Sequence, residues 1–462
     1  MVKLAPMQKV KADRERLRYE LTQGLNKGQA DAFMVMMDFL TTKGSDDMFV
    51  LKGYAGTGKT FLIKKLIEHM TKKYPHTKIA VTAPTNKAVS VLESKNTFRG
   101  NIKYATIHSL LGLTETIDSQ GRVSFTSKGN NSTITNFHYL IVDEVSMLQD
   151  EIFHMIAKYS KSIKIIFMGD PAQIPPIGKL HSIPLSKCVS RTYEEGYTLT
   201  QIMRQSGGNP IIKASFAIRD NLTSPNPIEK LETETPWGHG LVRLYPNKDR
   251  EALLSELELH FVSSPFEKDT DYAKVIAWRN KTVDLLNQTI REMIYKGHHL
   301  TKVMVGEKVL ANKPIFDEDE DILFTTSEEF EIGSTIVIEK TVRFGGKEFK
   351  GKFYLCGTKK GKIKILHESS EKDYQIFLDS IKQKAITTKD SKIWVEFYKA
   401  MKYPADIAYN YAITAHKAQG STYENVFIME DDIDANHNIV ERNRIKYTAY
   451  SRASRVLFIY KS

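Results

Sequence analysis

Gly53-Tyr54-Ala55-Gly56-Thr57-Gly58-Lys59-Thr60 has the residue types and spacing of a loop that cradles phosphates, a P-loop. Its glycines let backbone N–H groups wrap an anion, so Gly53, Ala55, Gly56, Thr57 and Gly58 are expected to bind a nucleotide. The helix that follows offers its N-terminus to the negative charge. Lys59 would reach the β- and γ-phosphates, and the Thr60 hydroxyl would ligate Mg²⁺. Leu140-Ile141-Val142-Asp143-Glu144 is an apolar run ending in two carboxylates. Asp143 would hold Mg²⁺, directly or through water, while Glu144 would orient and deprotonate the attacking water. Gly169-Asp170-Pro171-Ala172-Gln173 follows another apolar run, and the Gln173 amide can contact a γ-phosphate and report its loss. ATP and Mg²⁺ are the expected cofactors.

A second set of residues suits a strand of phosphates. Thr85-Asn86-Lys87, Thr106-Ile107-His108 and Thr414–Thr422 are short polar segments soon after strand-like runs. Their hydroxyls, amides and lysines suit phosphate contacts that read no base. His108 and His416 have no third ligand at metal spacing, so a metal site is rejected. Phe125 is an aromatic in an inserted hairpin, where stacking on a base would suit a ring. Trp278 ends a strand-like run and is expected in the core. Lys359-Lys360-Gly361-Lys362 reads equally as a strand contact and as a solvated face.

The elements that must position these residues alternate. Met48–Leu51, Ile79–Val81, Tyr139–Val142 and Ile163–Phe167 read as buried strands, with helical spacing over 26–40, 61–70, 87–94 and 151–159. Strand, loop and helix in alternation predict parallel sheets with chemistry at strand C-termini. Ala273–Trp278, Ile407–Ile413 and Val456–Tyr460 form a second series. Leu111–Phe137 is polar, with Arg122–Phe125 alternating, and reads as a hairpin insertion. Within 302–403, Ile332–Ile338 and Lys347–Cys356 alternate around Gly345-Gly346, Lys372–Lys384 reads as a helix, and Asp317–Asp321 as a solvated acidic loop.

Composition bounds the reading. The chain has 462 residues, 66 Lys+Arg against 55 Asp+Glu, and a net charge of +11, which points to an anionic partner. Hydrophobic residues at 41% indicate a globular chain. Two cysteines, Cys188 and Cys356, exclude a disulfide framework and a cysteine-rich zinc site. Met1–Glu20 is basic and polar, unlike a signal peptide, and no run of 18 apolar residues reads as a membrane span. A soluble intracellular protein is the expectation.

The order of these motifs resembles the superfamily-one helicases, most closely the 5′→3′ branch that contains phage Dda and RecD-like enzymes. The likeness runs through Gly53–Thr60, Ala83–Ala88, Thr106–Ser109, Asp143–Met147, Gly169–Gln173, Met203-Arg204-Gln205, Thr414–Thr422 and Tyr447–Ala453. It implies an α/β fold with two RecA-like P-loop NTPase domains, parallel sheets flanked by helices. The first would be 21–110 with 138–195, and the second 196–301 with 404–462. A pin hairpin at 111–137, a small barrel-like, β-rich domain at 302–403 and a basic lead-in at 1–20 complete the expectation. It implies that Gln29 reads adenine, that Gly420 joins the nucleotide site, and that Arg204 and Arg452 are arginine fingers. Thr85, Asn86, Lys87, Thr106, His108, Phe125, Thr414, His416, Lys417 and Gln419 would lie along single-stranded DNA.

The implied activity is ATP-dependent, 5′→3′ DNA unwinding in replication, recombination or repair. The implied partners are single-stranded DNA and single-/double-strand junctions, with replication or recombination proteins beyond them and no membrane. A monomer in the cytoplasm is expected, the host's if the source is viral. A helicase acting on RNA, or a non-motor nucleotide switch that binds a protein, are the alternatives.

Overall fold

A computed structural model describes residues 21–42, 48–94, 100–118, 120, 123–127, 132–176, 178–186, 196–201, 209–228, 241–246, 250–317 and 321–461. The chain divides into two units. The first holds most described residues up to Asn209; the second holds Thr85–Lys87, the described part of Leu113–Lys128, and the chain from Pro210 onward.

In the first unit, β1 (Met48–Gly53), β2 (Ile79–Ala83), β3 (Ile102–Thr106), β6 (Tyr139–Val142), β7 (Lys164–Gly169) and β8 (Tyr197–Leu199) form one sheet in the order β3-β2-β6-β7-β1-β8. Every pair in it is parallel. Such strands are buried on both faces, which is why they read as continuous apolar runs rather than alternating ones. The helices α1 (Lys27–Thr41), α2 (Lys59–Lys73) and α3 (Asn86–Ser94) supply Phe33, Met36, Leu62, Leu66 and Leu92 to the core beside Phe49, Leu51 and Ile166. α4 (Asp150–Ala157) lies where the spacing predicts it. Between β3 and β6, β4 (Leu113–Ile117) and β5 (Val123–Ser127) pair antiparallel, Glu115 opposite Phe125, as the alternation predicts.

In the second unit, α5 (Pro210–Asp220) precedes β9 (Leu241–Pro246), α6 (Arg250–Phe261), β10 (Ala273–Ala277) and α7 (Asn280–Ile294). The stretch expected as one strand over Ile407–Ile413 is two, because its halves join different sheets. β16 (Ile407–Tyr409) pairs antiparallel with β11 (Lys308–Ala311), which also pairs with β12 (Glu329–Glu331). β17 (Ala412–Thr414) pairs parallel with β10. Asn410 sits between them, and its amide donates to Glu329. β17, β10, β18 (Tyr423–Met429), β19 (Ala453–Lys461) and β9 then make an all-parallel sheet, with α10 (Ile439–Tyr450) leading into β19.

The part between the two series is less purely β than expected. β13 (Ser334–Phe344), β14 (Lys347–Gly357) and β15 (Lys362–Leu366) form an antiparallel meander. Gly345 and Gly346 both take positive φ, 57° and 73°, as a tight two-residue hairpin turn requires. The predicted helix is α8 (Glu371–Thr388), and a second, α9 (Ser391–Lys402), follows it. The Asp390 side chain caps α9, and Trp394, Phe397 and Ala400 are buried at helical spacing, a signal legible in the sequence. These helices cover Val342, Phe349 and Phe353, forming a core separate from that around Val309, Phe324, Phe330 and Ile365. Trp278, expected in the core, stands half-buried just past β10, its backbone N–H donating to Asp432 Oδ2 at 2.7 Å.

Lys274 lies within β10, fully buried. Its ammonium donates to the Asn410 carbonyl and to Asn410 Oδ1, and stands 5.3 Å from the centre of the Tyr423 ring. Burial above all, aided by Lys87 and opposed by Asp271, Glu329 and Asp269, pulls its pKa from 10.5 down to about 7. Below pH 7 folded and unfolded chains both hold the proton, and the cost of burial is full. From there up to 10.5 only the unfolded chain binds it, so stability rises with pH by up to about 1.4 kcal/mol per unit. The thermal midpoint is expected to climb between pH 7 and 9, and Lys274→Met to flatten that climb. Equal slopes for the two proteins would remove Lys274 as its source.

Candidate functional site

Because the first sheet is all parallel, its strands end on one edge. Gly53, Ala83, Thr106, Val142 and Gly169 are the last residues of β1, β2, β3, β6 and β7. β7 lies between β1 and β6, so the loop carrying Gln173 leaves the sheet between the P-loop and the Asp143-Glu144 pair. This is the crevice beyond strand C-termini where open α/β sheets bind ligands.

The P-loop is wound as its glycines allow. Gly56 and Gly58 have φ of 81° and 82°, and Gly58 caps α2. A Cβ on Gly53 would lie 2.7 Å from Thr57 Oγ1, so only glycine fits the turn. Thr57 is buried, its hydroxyl donating to the Tyr54 carbonyl at 2.9 Å. Lys59 Nζ donates to the carbonyls of Gly53 at 2.6 Å and Tyr54 at 3.2 Å, which holds the cation over the loop. Ala55 and Thr60 are half-buried. Gln29 is fully buried: its Oε1 accepts from Asn26 N–H at 3.3 Å, closing a capping box on α1, and its Nε2 donates to the Thr57 carbonyl at 3.0 Å. The Asn26–Gln29 cap is readable from sequence; the tie to the P-loop comes from tertiary packing alone.

One strand away, Asp143 is buried, and its Oδ1 accepts the Glu144 N–H at 2.8 Å. Glu144 takes φ 53° and ψ 39°, the left-handed region. For a non-glycine residue that costs on the order of 1–3 kcal/mol, and such strain collects at functional sites. Gln173 is buried, its Nε2 3.5 Å from Asp170 Oδ2. Asp170 Oδ1 also accepts the Ala172 N–H at 2.9 Å, so Asp170 shapes the turn that presents Gln173, a role sequence reasoning did not assign. At Gly169 a Cβ would lie 2.8 Å from Val145 Cγ2, so glycine here lets the chain after Asp143 pass close to β7.

Two structurally similar corners carry strand-binding candidates. Thr106 ends β3, an edge strand, and caps the short helix Ile107–Leu110; Thr414 ends β17, the edge of the other parallel sheet, and caps Ala415–Ala418. His108 and His416 each take the second position of the short helix, and burial lowers the pKa of both. Lys417 is exposed and donates to Asn312 Oδ1 at 3.1 Å, while Gln419 is buried. Thr85 is exposed, Asn86 donates to the Thr326 carbonyl at 3.2 Å, and Lys87 pairs with Asp271 at 2.9 Å. Arg452 is buried: Nε donates to the Thr448 carbonyl at 2.8 Å, Nη1 to the Ser421 carbonyl at 3.0 Å and Nη2 to Ser451 Oγ at 2.8 Å. Gly420, just before Ser421, has φ 79°. Arg204 and Cys188, and the side chain of Phe125, lie outside the described residues.

A phosphate loop, an acidic pair and a glutamine along one parallel edge define a nucleoside-triphosphate-hydrolysing enzyme. A family model described as an AAA domain matches residues 24–235, and one described as the UvrD-like helicase C-terminal domain matches 409–460. The chain is 26% identical over 439 residues to the ATP-dependent DNA helicase dda of Enterobacteria phage T4, covering 87% of this chain and 92% of that protein. It is likewise 26% identical over 491 residues to the uncharacterized protein R530 of Acanthamoeba polyphaga mimivirus, covering 91% and 96%. A solved structure of two coordinating Pif1 helicases unwinding forked double-stranded DNA aligns over 94% of this chain and 92% of that one, at 15% identity and a TM-score of 0.49. The chain is similar to the Dda, RecD and Pif1 helicases, and its two all-parallel sheets, with helices between their strands, give the mixed α/β architecture expected from the sequence. It is a helicase-class ATPase.

Proposed function

We propose that this chain translocates 5′→3′ on single-stranded DNA and separates duplex DNA, driven by Mg-ATP hydrolysis. The carrying observation is the edge where Lys59, Asp143, Glu144 and Gln173 leave neighbouring strands of one sheet. The DNA helicase dda, matched along most of both chains, supports the choice of substrate.

The Thr60 hydroxyl and the buried Asp143 carboxylate are hard oxygen donors, a set that suits Mg²⁺. They would hold the ion, which supplies charge neutralisation at the phosphates. Glu144 takes the proton of the attacking water, Lys59 and the P-loop amides hold the phosphates, and Gln29 braces the loop near the base. Arg204 and Arg452 supply positive charge to the transition state; comparable arginines are worth about 10³–10⁵ in rate. Thr85, Asn86, Lys87, Thr106, His108, Thr414, His416, Lys417 and Gln419 line the strand, and the β4–β5 hairpin with Phe125 serves as the pin at a junction. The protein works as a monomer in the cytoplasm.

The deciding measurement is ATP hydrolysis with and without single-stranded DNA or RNA, followed by opening of duplexes bearing a 5′ or a 3′ tail. Strong stimulation by DNA and opening of the 5′-tailed duplex alone are expected. Preference for RNA or a 3′ tail overturns the substrate or the direction. Hydrolysis indifferent to every nucleic acid points to a nucleotide switch.

A further inference from the structure

Phe61 stands on the first turn of α2, two residues past Lys59. It is the one phenylalanine exposed among the described residues, at 45%. Lys64 and Lys65 of the same helix are half-buried. An apolar ring is thus left to solvent while charged chains beside it are partly covered, the reverse of the usual order. The core does not claim the ring, because Leu62, Ile63, Leu66, Ile67 and Met70 bury the opposite side of α2.

The ring lies within reach of a bound nucleotide's base. The Leu62 N–H donates to the Gly58 carbonyl at 2.9 Å as α2 begins, so the N–H groups of Lys59, Thr60 and Phe61 belong to the turn that meets the anion. A base is tethered to the phosphates through one sugar, which keeps it near that turn. Lys65 shares the face of Phe61, one turn on. Its ammonium stands 5.7 Å from the ring centre and donates to the Gln23 carbonyl. A Cβ on Gly24 would lie 3.6 Å from the same ammonium. This face of α2 therefore looks onto the segment that leads to Gln29. Gln29 itself is fully buried, its Oε1 accepting from the Asn26 N–H and its Nε2 donating to the Thr57 carbonyl. To meet a base, its amide would have to leave the interior and those partners.

We propose that Phe61 stacks on the base of the bound nucleotide, and that the site takes nucleoside triphosphates whatever their base. The inference rests on reading Gly53–Thr60 as the phosphate site. Every base has a π-face, so a ring that stacks holds purines and pyrimidines alike. Strong discrimination needs polar groups that a wrong ligand would leave unpaired. The Gln29 amide, which the helicase resemblance marks for reading adenine, is committed to the loop instead. Its part is positioning: it holds the P-loop through Thr57 for any triphosphate.

The test is displacement of a ribose-labelled fluorescent ATP analogue from the full chain by ATP, GTP, CTP, UTP and inorganic tripolyphosphate. The four nucleotides are expected to bind within about tenfold of one another. Because Phe61 is exposed, Phe61→Ala spares the core. It is expected to weaken all four by about fivefold or more, and to leave tripolyphosphate, which has no base, as it was. Phe61→Trp should restore the nucleotides. If the unaltered chain binds neither ATP nor tripolyphosphate, the phosphate-site reading fails and this one with it. If it binds both, and Phe61→Ala keeps its affinity for ATP or loses tripolyphosphate in the same proportion, only the stacking is overturned. A preference for ATP beyond about tenfold would overturn the tolerance of other bases.

Discussion

Replacing Glu144 by Gln is expected to slow ATP turnover by about 10²–10⁴-fold, the usual range for removing a general base. The substitution is nearly isosteric and keeps the strained backbone at φ 53°. It also keeps the Asp143 Oδ1 that accepts the residue 144 N–H. Binding of a fluorescent ATP analogue should therefore persist while steady-state hydrolysis nearly stops. Turnover within a few-fold of the unaltered protein would remove Glu144 as the base. Loss of nucleotide binding along with turnover would mean that the residue shapes the site instead. Glu144→Gly separates the two contributions further, because it relieves the left-handed strain and deletes the carboxylate together. It should raise stability slightly and still abolish turnover.

The second large effect is on stability. Arg291 of α7 and Glu307, just before β11, form a buried ion pair, with Nε to Oε1 at 2.6 Å and Nη2 to Oε2 at 2.9 Å. Tyr411 donates to Oε1 at 3.0 Å, the Met304 N–H donates to Oε2 at 3.2 Å, and the guanidinium lies 4.1 Å from the centre of the Tyr409 ring. Burial, with the adjacent Glu307 carboxylate, pushes the Tyr411 phenol upward, so it remains a donor to the pair. Breaking such a pair leaves an uncompensated buried charge, at about 3–5 kcal/mol, whereas replacing both partners by apolar groups is often near neutral. Glu307→Gln is expected to lower the urea midpoint of the second unit accordingly. Arg291→Met with Glu307→Leu should recover much of that loss. A double variant no more stable than the single would show that the hydrogen bonds around the pair, not its charges, hold this joint.

Much of the candidate site is legible in the residues alone. Gly53–Thr60 and Asp143-Glu144 combine rare side-chain chemistry with a local backbone requirement, and both requirements are met within a few residues. The parallel strands are legible because burial on both faces writes itself as an unbroken apolar run. The boundary inside Ile407–Ile413 is not, because the residues on both sides of Asn410 are strand-like and only pairing partners divide them. α9 escapes the sequence reading, although the Asp390 cap and the spacing of Trp394, Phe397 and Ala400 carry its signature. Its aromatic residues read as strand or helix until something packs against them.

By itself the sequence singled out the residues proposed to bind phosphate, hold a hard cation and take a proton from water. It also determined the alternation of strands and helices that forces parallel sheets. These depend on residue type and short spacing, which local backbone chemistry reads directly. Only the tertiary structure decided that Gln29 ties α1 to the Thr57 carbonyl, that Lys274 is buried beneath Asn410 and Tyr423, and that Lys65 of α2 reaches the Gln23 carbonyl. Each of those depends on segments distant in sequence meeting at a definite register. Register is set by the summed packing of whole faces, which no local pattern contains.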